Sequence, residues 1–406
     1  MQRIITLFTV LLFLSACFDK PKQLSTPSQD IPDLLHRNEK IQNGKEWERV
    51  QNIYGAALNK INHEKEIVEP YIKLAEVYIN EARITGEHGH YYPGALKVLD
   101  QALSIPKINQ DQKFRALAYK ASVMLSQHEF SEALEIAKTA VAINPHNAQI
   151  YGALVDAYVE LGDYKKAVAM ADKMVNIRPD LRSYSRVSYL RQIHGDINGA
   201  IEAMKLAVDA GYPGEEQTAW TRLTLGELYE KNEDFESAKI QYQTILQERA
   251  NYPFAIAALA EIHRQKGEDK KAESLLNRAI DIIPEVGFYE QMAAIYKSQN
   301  RTEEFEKIKE EIFLMLEDDV QSGHNMNLEY ANLYIDLIGD YNKALTYAEE
   351  EYHKRPDNID VNKMLAMIYY KTNHAEKAKL HTEKAFRTGA IFPELTTTQS
   401  LTSFNQ

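Results

Sequence analysis

The chain has 406 residues, of which 44% are hydrophobic and 26% are charged, which is ordinary for a folded globular protein. Its formal net charge of −12 argues against a general nucleic-acid-binding protein, because such a protein needs a basic surface to displace counterions from phosphates. A chain this long ordinarily folds as several domains, unless it is built from repeats that each contact only their neighbours.

The first 16 residues have the features of a secretory signal peptide. Arg3 precedes an apolar run from Ile4 to Leu14, which is too short for an ordinary membrane-spanning helix. The next residues, Leu14-Ser15-Ala16-Cys17, resemble the lipobox of bacterial lipoproteins. This resemblance implies cleavage before Cys17 and lipidation of that cysteine, which would anchor the protein in a membrane of the bacterial envelope. A signal peptide without lipidation is the alternative.

Residues 17–43 are polar and contain Pro21, Pro27 and Pro32, a composition that predicts a flexible tether. The residue after Cys17 is Phe18, whereas an aspartate there retains enterobacterial lipoproteins in the inner membrane. We therefore expect an outer-membrane location, facing the periplasm or the cell surface. Residues 44–66 contain an amphipathic helix with Trp47 on its apolar side, which we expect to cap the N-terminal end of a stack of repeats.

The stretch from Ala148 to Pro179 is the clearest unit in the chain. Its two halves each place apolar residues on one face of a helix. Between them, Gly162 suits the left-handed conformation that ends a helix, and Asp163 suits the cap of the next helix. Pro179 ends the second helix, because the residue before a proline avoids the α region. A helix pair of this kind needs similar neighbours to bury both of its apolar faces.

This unit resembles the tetratricopeptide repeat, whose period is about 34 residues. The matching residues are Leu154, Tyr158, Gly162, Tyr164, Ala167 and Pro179. The pattern recurs over residues 67–391, although it weakens from Val286 to Met315. The resemblance implies an all-α solenoid of about nine helix-turn-helix repeats that form a right-handed superhelix. Residues 392–406 are predicted to be a polar C-terminal tail.

The first repeat carries an insertion. Between Ala75 and Ala95 there are about eight more residues than the repeat period allows, which predicts a lengthened first helix and a loop. The predicted loop contains Glu87, His88 and His90, which are residue types that bind zinc. The short ligand spacing of structural zinc sites is missing, so we expect a structural loop and neither a metal site nor a cofactor.

The sequence contains no nucleophile elbow, no phosphate-binding glycine loop and no zinc-protease helix. Adjacent carboxylates such as Glu310 and Glu311 lie in highly charged predicted helices, which is typical of solvated surfaces. We therefore expect a protein that is not an enzyme and has no catalytic residues.

In tetratricopeptide solenoids the first helix of each repeat lines a concave groove. The resemblance places large side chains at its inward positions, namely Tyr119, Arg182, Arg186, Tyr189, Trp220, Glu227 and Phe254. Aromatic residues and arginine are enriched at binding hot spots, so we expect a protein or peptide partner in this groove. The alternative is structural: Trp220 and Phe254 would pack between repeats, and the two arginines would pair with Asp156 or Glu160.

Chaperone-binding members of the family hold a terminal carboxylate with a clamp of lysines and asparagines. Here Arg182 and Arg186 resemble the last pair of this clamp. Ala118 and Ala153 stand where its lysine and an asparagine should be, so the clamp is incomplete and a chaperone C-terminus is a poor ligand. The leading hypothesis is a lipid-anchored scaffold that mediates protein–protein interactions in the cell envelope. Two alternatives stay open: a glycan or small-ligand site that uses Trp220 and Gln192, and a metal-binding accessory protein that uses His88 and His90.

Overall fold

The computed structural model describes residues 31–395, which form helices joined by short turns and contain no strand. In chain order the helices are α1 (Lys45–His63), α2 (Val68–Thr85), α3 (His88–Ser104), α4 (Gln110–Ser126), α5 (Phe130–Ile143), α6 (Ala148–Glu160), α7 (Tyr164–Ile177), α8 (Leu181–Ile193), α9 (Ile197–Asp209), α10 (Glu216–Lys231), α11 (Phe235–Glu248), α12 (Pro253–Gln265), α13 (Asp269–Ile280), α14 (Val286–Ser298), α15 (Thr302–Gln321), α16 (Asn327–Leu333), α17 (Tyr341–Lys354), α18 (Ile359–Lys371) and α19 (Ala375–Ala385). A π-helical turn at Tyr334–Ile338 extends α16. The predicted cleavage site and Cys17 lie outside the described residues.

Helices α2 to α19 pair in sequence as nine hairpins, from α2 with α3 to α18 with α19. The predicted all-α solenoid of tetratricopeptide-like repeats is thereby confirmed. The turn in the third hairpin also has the predicted geometry. Gly162 has a φ of 80°, and the Asp163 side chain accepts a hydrogen bond from the backbone N–H of Lys166. These two residues end α6 and begin α7 within a single turn.

The solenoid winds so tightly that its second turn rests on its first. The side-chain amide of Gln127 donates to the carbonyl of Ser322 at 3.2 Å, across 195 residues. The backbone N–H of Ile359 donates to the Tyr164 hydroxyl at 2.8 Å, again across 195 residues. A separation of 195 residues is slightly less than six repeats of about 34 residues each. One superhelical turn therefore contains nearly six hairpins.

We call the contact between the two turns the seam. It has an apolar part, where Ile359 and Ala390 of the second turn join the cluster of Val155 and Tyr164. It also has a polar part, where Arg355 contacts Glu160. The seam residues are Gln127, Glu160, Gly162, Tyr164 and Ile193 on the first turn, and Ser322, Arg355, Asp357, Ile359 and Thr388 on the second.

Residues 31–43 are not a flexible tether, contrary to the sequence prediction. Ile31 and Ile41 are each only 5% exposed. The guanidinium of Arg37 is fully buried and donates to both carboxylate oxygens of Glu81, at 2.7 and 2.6 Å. This bidentate pair fixes the segment against α2, because breaking a buried ion pair would leave an uncompensated charge. We call residues 31–43 the strap.

The strap and α1 connect the beginning of the first turn, at α2, with its end, at the fifth and sixth hairpins. The Asn38 side chain donates to the carbonyl of Ile282 at 3.2 Å, and the Asn251 side chain donates to the carbonyl of Lys40 at 3.1 Å. In α1, which packs against α2, Glu46 forms an ion pair with Arg249 at 2.9 Å. The N-terminal part of the described chain therefore joins hairpins that are more than 200 residues apart in sequence.

The insertion in the first repeat forms no loop. It lengthens α2 as predicted, but the remaining residues extend α3, which begins at His88. Gly86, with a φ of 74°, ends α2, and only Gly86 and Glu87 separate the two helices. The prediction failed because the glycines of the segment suggested a loop, whereas the aromatic rings beside them are buried in the core; Tyr91 is fully buried.

The weak pattern from Val286 to Met315 forms a hairpin, in keeping with the predicted solenoid over residues 67–391, and α15 is 20 residues long. At the C-terminal end, the described part of the predicted tail, residues 392–395, packs on the last repeat. Leu395 is 2% exposed, and the ring of Phe392 lies 5.8 Å from that of Phe386. Residues 396–406 lie outside the described part of the chain.

Candidate functional site

The inner helices of the superhelix surround a central cavity of about 1030 Å³, which we call the lumen. It is lined by α2, α4, α6, α8, α10 and α12, the first helices of the first six hairpins. Six of the seven predicted groove residues line it, namely Tyr119, Arg182, Arg186, Tyr189, Trp220 and Phe254. The repeat therefore brings together side chains that are up to 135 residues apart in sequence (254 − 119 = 135).

Residues of the second turn also line the lumen. Glu285, Leu328, Arg355 and Asp360 come from the first helices of later hairpins and from the turns before them. Sequence reasoning missed these residues, because it treated the groove as open and did not foresee that one turn would stack on the other. The lumen is therefore walled by both turns rather than by one concave face.

The two predicted arginines have different surroundings. Arg186 donates to both carboxylate oxygens of Asp156, at 2.9 and 2.5 Å, and to the carbonyl of Gly152 at 3.2 Å. A Cβ at position 152 would lie 2.8 Å from the Arg186 guanidinium, so the glycine leaves room for the guanidinium in this position. The structural alternative thus holds for Arg186. Arg182 is exposed to the lumen, and its side chain donates to Gln217 at 3.3 Å.

The aromatic residues divide in the same way. Phe254 is half-buried and stacks edge-on with Phe288 of the next repeat, with ring centroids 5.5 Å apart. Trp220 packs edge-on against Phe254 at 5.4 Å but is still 50% exposed. Packing between repeats therefore accounts for Phe254 and leaves much of the Trp220 ring free for a ligand.

Tyr119 and Tyr189 contribute neutral phenol groups to the lumen wall. Burial raises the pKa of Tyr119, and burial together with the charge of Glu160 raises the pKa of Tyr189 well above its usual value. Both rings also pack against core residues. Tyr119 packs against the apolar cluster that contains Tyr78 and Leu99, and Tyr189 packs against the cluster around Val155. They shape the lumen and belong partly to the core.

Two residues named by the sequence analysis do not line the lumen. Glu227 lies two helical turns beyond Trp220 on α10, past the lumen wall. Gln192, the proposed glycan partner of Trp220, is also absent from the wall, where Gln217 takes a comparable place. The pairing of Trp220 with Gln192 on which the glycan alternative depended is therefore not formed.

His88 and His90 point to different parts of the molecule, because residues two apart on a helix lie on nearly opposite faces. The His90 ring contacts the carbonyl of Asp33 in the strap at 2.8 Å. His88 lines the lumen, with its ring 6.2 Å from that of His324 across the two turns. Burial, assisted by the charge of His324, lowers the pKa of His88 to about 4.

The predicted alternative of a metal site at His88 and His90 finds no geometric support. Among residues 31–395, no three histidine, cysteine, aspartate or glutamate side chains are placed to hold a metal ion. Within the same part of the chain, no helix is both long enough and apolar enough to cross a membrane.

Two residues that sequence reasoning missed carry charge into the lumen. Arg83 lies near the end of α2, where the lengthened helix shifts the register of the repeat, so the family positions did not point to it. Glu285 precedes α14 and faces Gly86 across the seam. Burial, with a smaller effect of Asp319, raises the pKa of Glu285 to about 7. This raised pKa depends on burial at the seam, and no feature of the sequence predicts it.

Comparison with known proteins agrees with this architecture, an α-solenoid of helical hairpins. The tetratricopeptide repeat family matches residues 124–192 and 255–288, so these segments are tetratricopeptide repeats. The chain is similar to a chain in the crystal structure of the APC/C hetero-tetramer Cut9-Hcn1. The TM-score is 0.52, with 14% identity over 82% of this chain and 60% of that one. That likeness shows the fold.

Two further similarities are more limited. The chain is 21% identical over 188 residues to cellulose synthase operon protein C of Pseudomonas fluorescens (strain SBW25). This match covers 44% of the chain, which spans only 14% of the relative's length. A tetratricopeptide repeat protein from Parabacteroides merdae ATCC 43184 is similar with a TM-score of 0.43 and 14% identity, over 68% of this chain and 98% of that one.

Proposed function

We propose that this protein is a lipid-anchored scaffold of the bacterial cell envelope that holds a segment of a partner protein in its lumen. One observation carries the proposal: the inner helices present Arg182 and a half-exposed Trp220 to a lumen of about 1030 Å³. Neither side chain is needed to close the core, and both are types that dominate binding energy at interfaces. Tetratricopeptide repeats also point to protein partners.

A crosslinking experiment tests the lumen. A photoreactive phenylalanine analogue is placed at Trp220 inside the lumen or, as the control, at Ile240, which is 57% exposed on α11. We expect irradiation of intact cells to give a discrete crosslinked protein from position 220 and not from position 240. A crosslink from position 240 alone would move the binding surface to the outside of the solenoid.

The anchor rests on the sequence of the first 17 residues, where the lipobox-like Leu14-Ser15-Ala16-Cys17 follows an apolar run. A single acyl chain binds a membrane only marginally, whereas the several chains of a lipoprotein hold firmly. We expect the Cys17→Ser variant to lose labelling by fatty-acid analogues and to leave the outer-membrane fraction. If Cys17→Ser stays in that fraction without labelling, the protein is held by something other than lipid.

A further inference from the structure

Three guanidinium groups converge in one part of the lumen. Arg83 extends from the end of α2, Arg182 from the start of α8, and Arg186 from the next turn of α8. Arg186 is neutralised by Asp156. Arg83 and Arg182 form no ion pair with any residue of the described chain, and Arg182 has only the hydrogen bond to Gln217. Two cations without carboxylate partners therefore face the same space in a protein whose net charge is −12.

Seven carboxylates also line the lumen, namely Glu76, Asp156, Glu160, Glu216, Glu285, Glu329 and Asp360. Asp156 pairs with Arg186 and Glu160 with Arg355, and none of the seven forms an ion pair with Arg83 or Arg182. The unpaired positive charge is therefore local to these two arginines.

Burial raises the pKa of Glu216, and the positive charge of Arg83 opposes this rise only in part. The Tyr252 hydroxyl donates to the Glu216 carboxylate at 3.4 Å. Burial also weakens the charge of Glu285, whose pKa is about 7. Enclosure in the lumen lowers the pKa of Arg182, because it removes water from the guanidinium. The positive charges of Arg186 and Arg83 lower this pKa further. An incoming anion would relieve this repulsion.

An apolar surface lies directly beside the arginines. Trp220 is one helical turn beyond Gln217 on the same face of α10, because residues three apart are neighbours on a helix. Gln217 accepts the hydrogen bond from Arg182, so the indole and the guanidinium are adjacent in the lumen. The rings of Phe254 and Trp220 are nearly perpendicular at 5.4 Å, and Trp220 is still 50% exposed. The wall thus offers a cationic and an aromatic subsite next to each other.

We infer that the lumen binds an extended peptide segment in which an acidic side chain lies beside a large apolar one. Arg83 and Arg182 hold the carboxylate, and the indole of Trp220 packs against the apolar side chain. A guanidinium suits a carboxylate because its donors match both oxygens. The segment is extended, since a cavity of about 1030 Å³ has the size of a ligand pocket and excludes a folded domain. The inference rests on the proposed function, since it specifies the partner's chemistry for the same lumen.

Intrinsic fluorescence provides the test, because the chain has two tryptophans, Trp47 and Trp220. Trp47 is buried beside Arg37, and the Trp47→Phe variant keeps an aromatic ring there while leaving Trp220 as the single reporter. Three short peptides are titrated into this variant: phenylalanine alternating with glutamate, glutamine or lysine. Each is acetylated and amidated, so that only the side chains differ in charge. A fourth peptide has the glutamine sequence with a free terminal carboxylate.

We expect the glutamate peptide to bind about tenfold or more tightly than the glutamine peptide, the effect of one charge-assisted hydrogen-bonded pair. This preference should disappear in Arg182→Ala and weaken in Arg83→Ala. Arg191→Ala is the matched control, since Arg191 lies on the same helix and pairs with Asp196 at 3.5 Å outside the lumen. Thermal melting of each variant checks that it is folded.

The outcomes separate the two proposals. Equal binding of the glutamate and glutamine peptides, or a preference for lysine, overturns the acidic-segment inference and leaves the lumen as a peptide site. The inference also fails if the fourth peptide binds as tightly as the glutamate peptide, because the ligand would then be a chain terminus. If the preference for the glutamate peptide persists in Arg182→Ala, the carboxylate is not bound by these arginines and the inference is wrong. If none of the four peptides binds, the proposed function fails as well.

Discussion

The two turns of the superhelix are built from the same hairpin but use it differently. In the first turn, the inner helices α8 and α10 direct Arg182 and Trp220 into the lumen, where both are exposed. In the second turn, residues of the turns between hairpins contact the first turn. Arg355, for example, is 4% exposed and contacts Glu160 and Glu351. One turn supplies a surface for a ligand, and the other supplies the wall that encloses it.

This difference teaches that a repeat position has no fixed role in a solenoid that winds back on itself. In an open solenoid each repeat contacts only its neighbours, and stability is nearly a sum of local contributions. Here the seam adds contacts across 195 residues, so some residues stabilise a repeat that is remote in sequence. Changes in the seam should therefore cost far more stability than equivalent changes in the lumen.

The largest effect is expected at Arg355. Replacing Arg355 with methionine leaves the carboxylate of Glu351, which is 1% exposed, and that of Glu160 without their cation. Breaking a buried ion pair in this way costs about 3 to 5 kcal/mol of unfolding free energy. The matched control is Arg264→Met, because Arg264 forms an exposed pair with Glu261 within α12 and should cost about 0.5 kcal/mol or less.

Urea unfolding followed by circular dichroism measures both variants. Equal losses of unfolding free energy for Arg355→Met and Arg264→Met would show that the ion pairs of Arg355 stabilise the fold no more than an ordinary surface pair does. The proposed difference between the two turns would then be wrong.

The next effect compares two glycines that have the same conformation in different places. Gly162 and Gly267 both end the first helix of a hairpin with positive φ, 80° and 72° respectively. A Cβ at Gly162 would overlap the backbone of Asp357 across the seam, whereas a Cβ at Gly267 meets nothing within 4 Å. We expect Gly267→Ala to cost about 1 kcal/mol for the left-handed conformation alone.

Gly162→Ala should cost about 3 kcal/mol or more, because the seam must open or shift to accept the methyl group. Thermal unfolding of the two variants under the same conditions gives the difference directly. A Gly162→Ala variant that is no less stable than Gly267→Ala would mean that the second turn does not rest on the first at this point.

A smaller effect depends on pH. Folding raises the pKa of Glu285 from its usual value of 4.5 to about 7, mainly by burial at the seam. The folded state therefore holds this proton more tightly than the unfolded state, so its contribution to stability is complete below pH 4.5 and is lost as the pH rises through 7. Glu285→Gln removes the charge and should be about 2 to 3 kcal/mol more stable than the parent at about pH 8.

The advantage of Glu285→Gln should fall to about 0.4 kcal/mol at about pH 4.5, where the parent carboxyl is protonated in the folded state and half protonated in the unfolded state. Glu303→Gln, an exposed change in the first turn of α15, serves as the control. Urea unfolding curves at the two pH values give the difference in unfolding free energy between Glu285→Gln and the parent. A difference that is the same at both pH values would exclude a raised pKa at Glu285.

The smallest effect on stability is expected in the lumen. Trp220→Ala removes a half-exposed ring with one edge-on neighbour, so the loss should be about 1 kcal/mol or less. The same change should weaken capture of a partner found by crosslinking about thirtyfold, as is typical of a binding hot spot. A marked drop in melting temperature for Trp220→Ala would instead assign this residue to the core.

The sequence by itself determined the repeat. The spacing of small and apolar residues, with Gly162 and Asp163 at a turn, defined the hairpins, because a hairpin is fixed by contacts that are local in the chain. It also identified six residues of the lumen, since a repeated unit places the same positions on the same side. Both inferences require only that each hairpin packs against a similar hairpin next to it in the sequence.

The tertiary structure alone decided the seam, the packing of the strap and the enclosure of the lumen. The seam depends on contacts across 195 residues, and the strap contacts residues 44 to 244 positions away. The longest of these contacts arise from the small rotation between successive hairpins, accumulated over nearly six of them. That rotation has no signature in any single repeat. Residues such as Glu285 and Arg355 therefore acquire their roles only when the second turn comes to rest on the first.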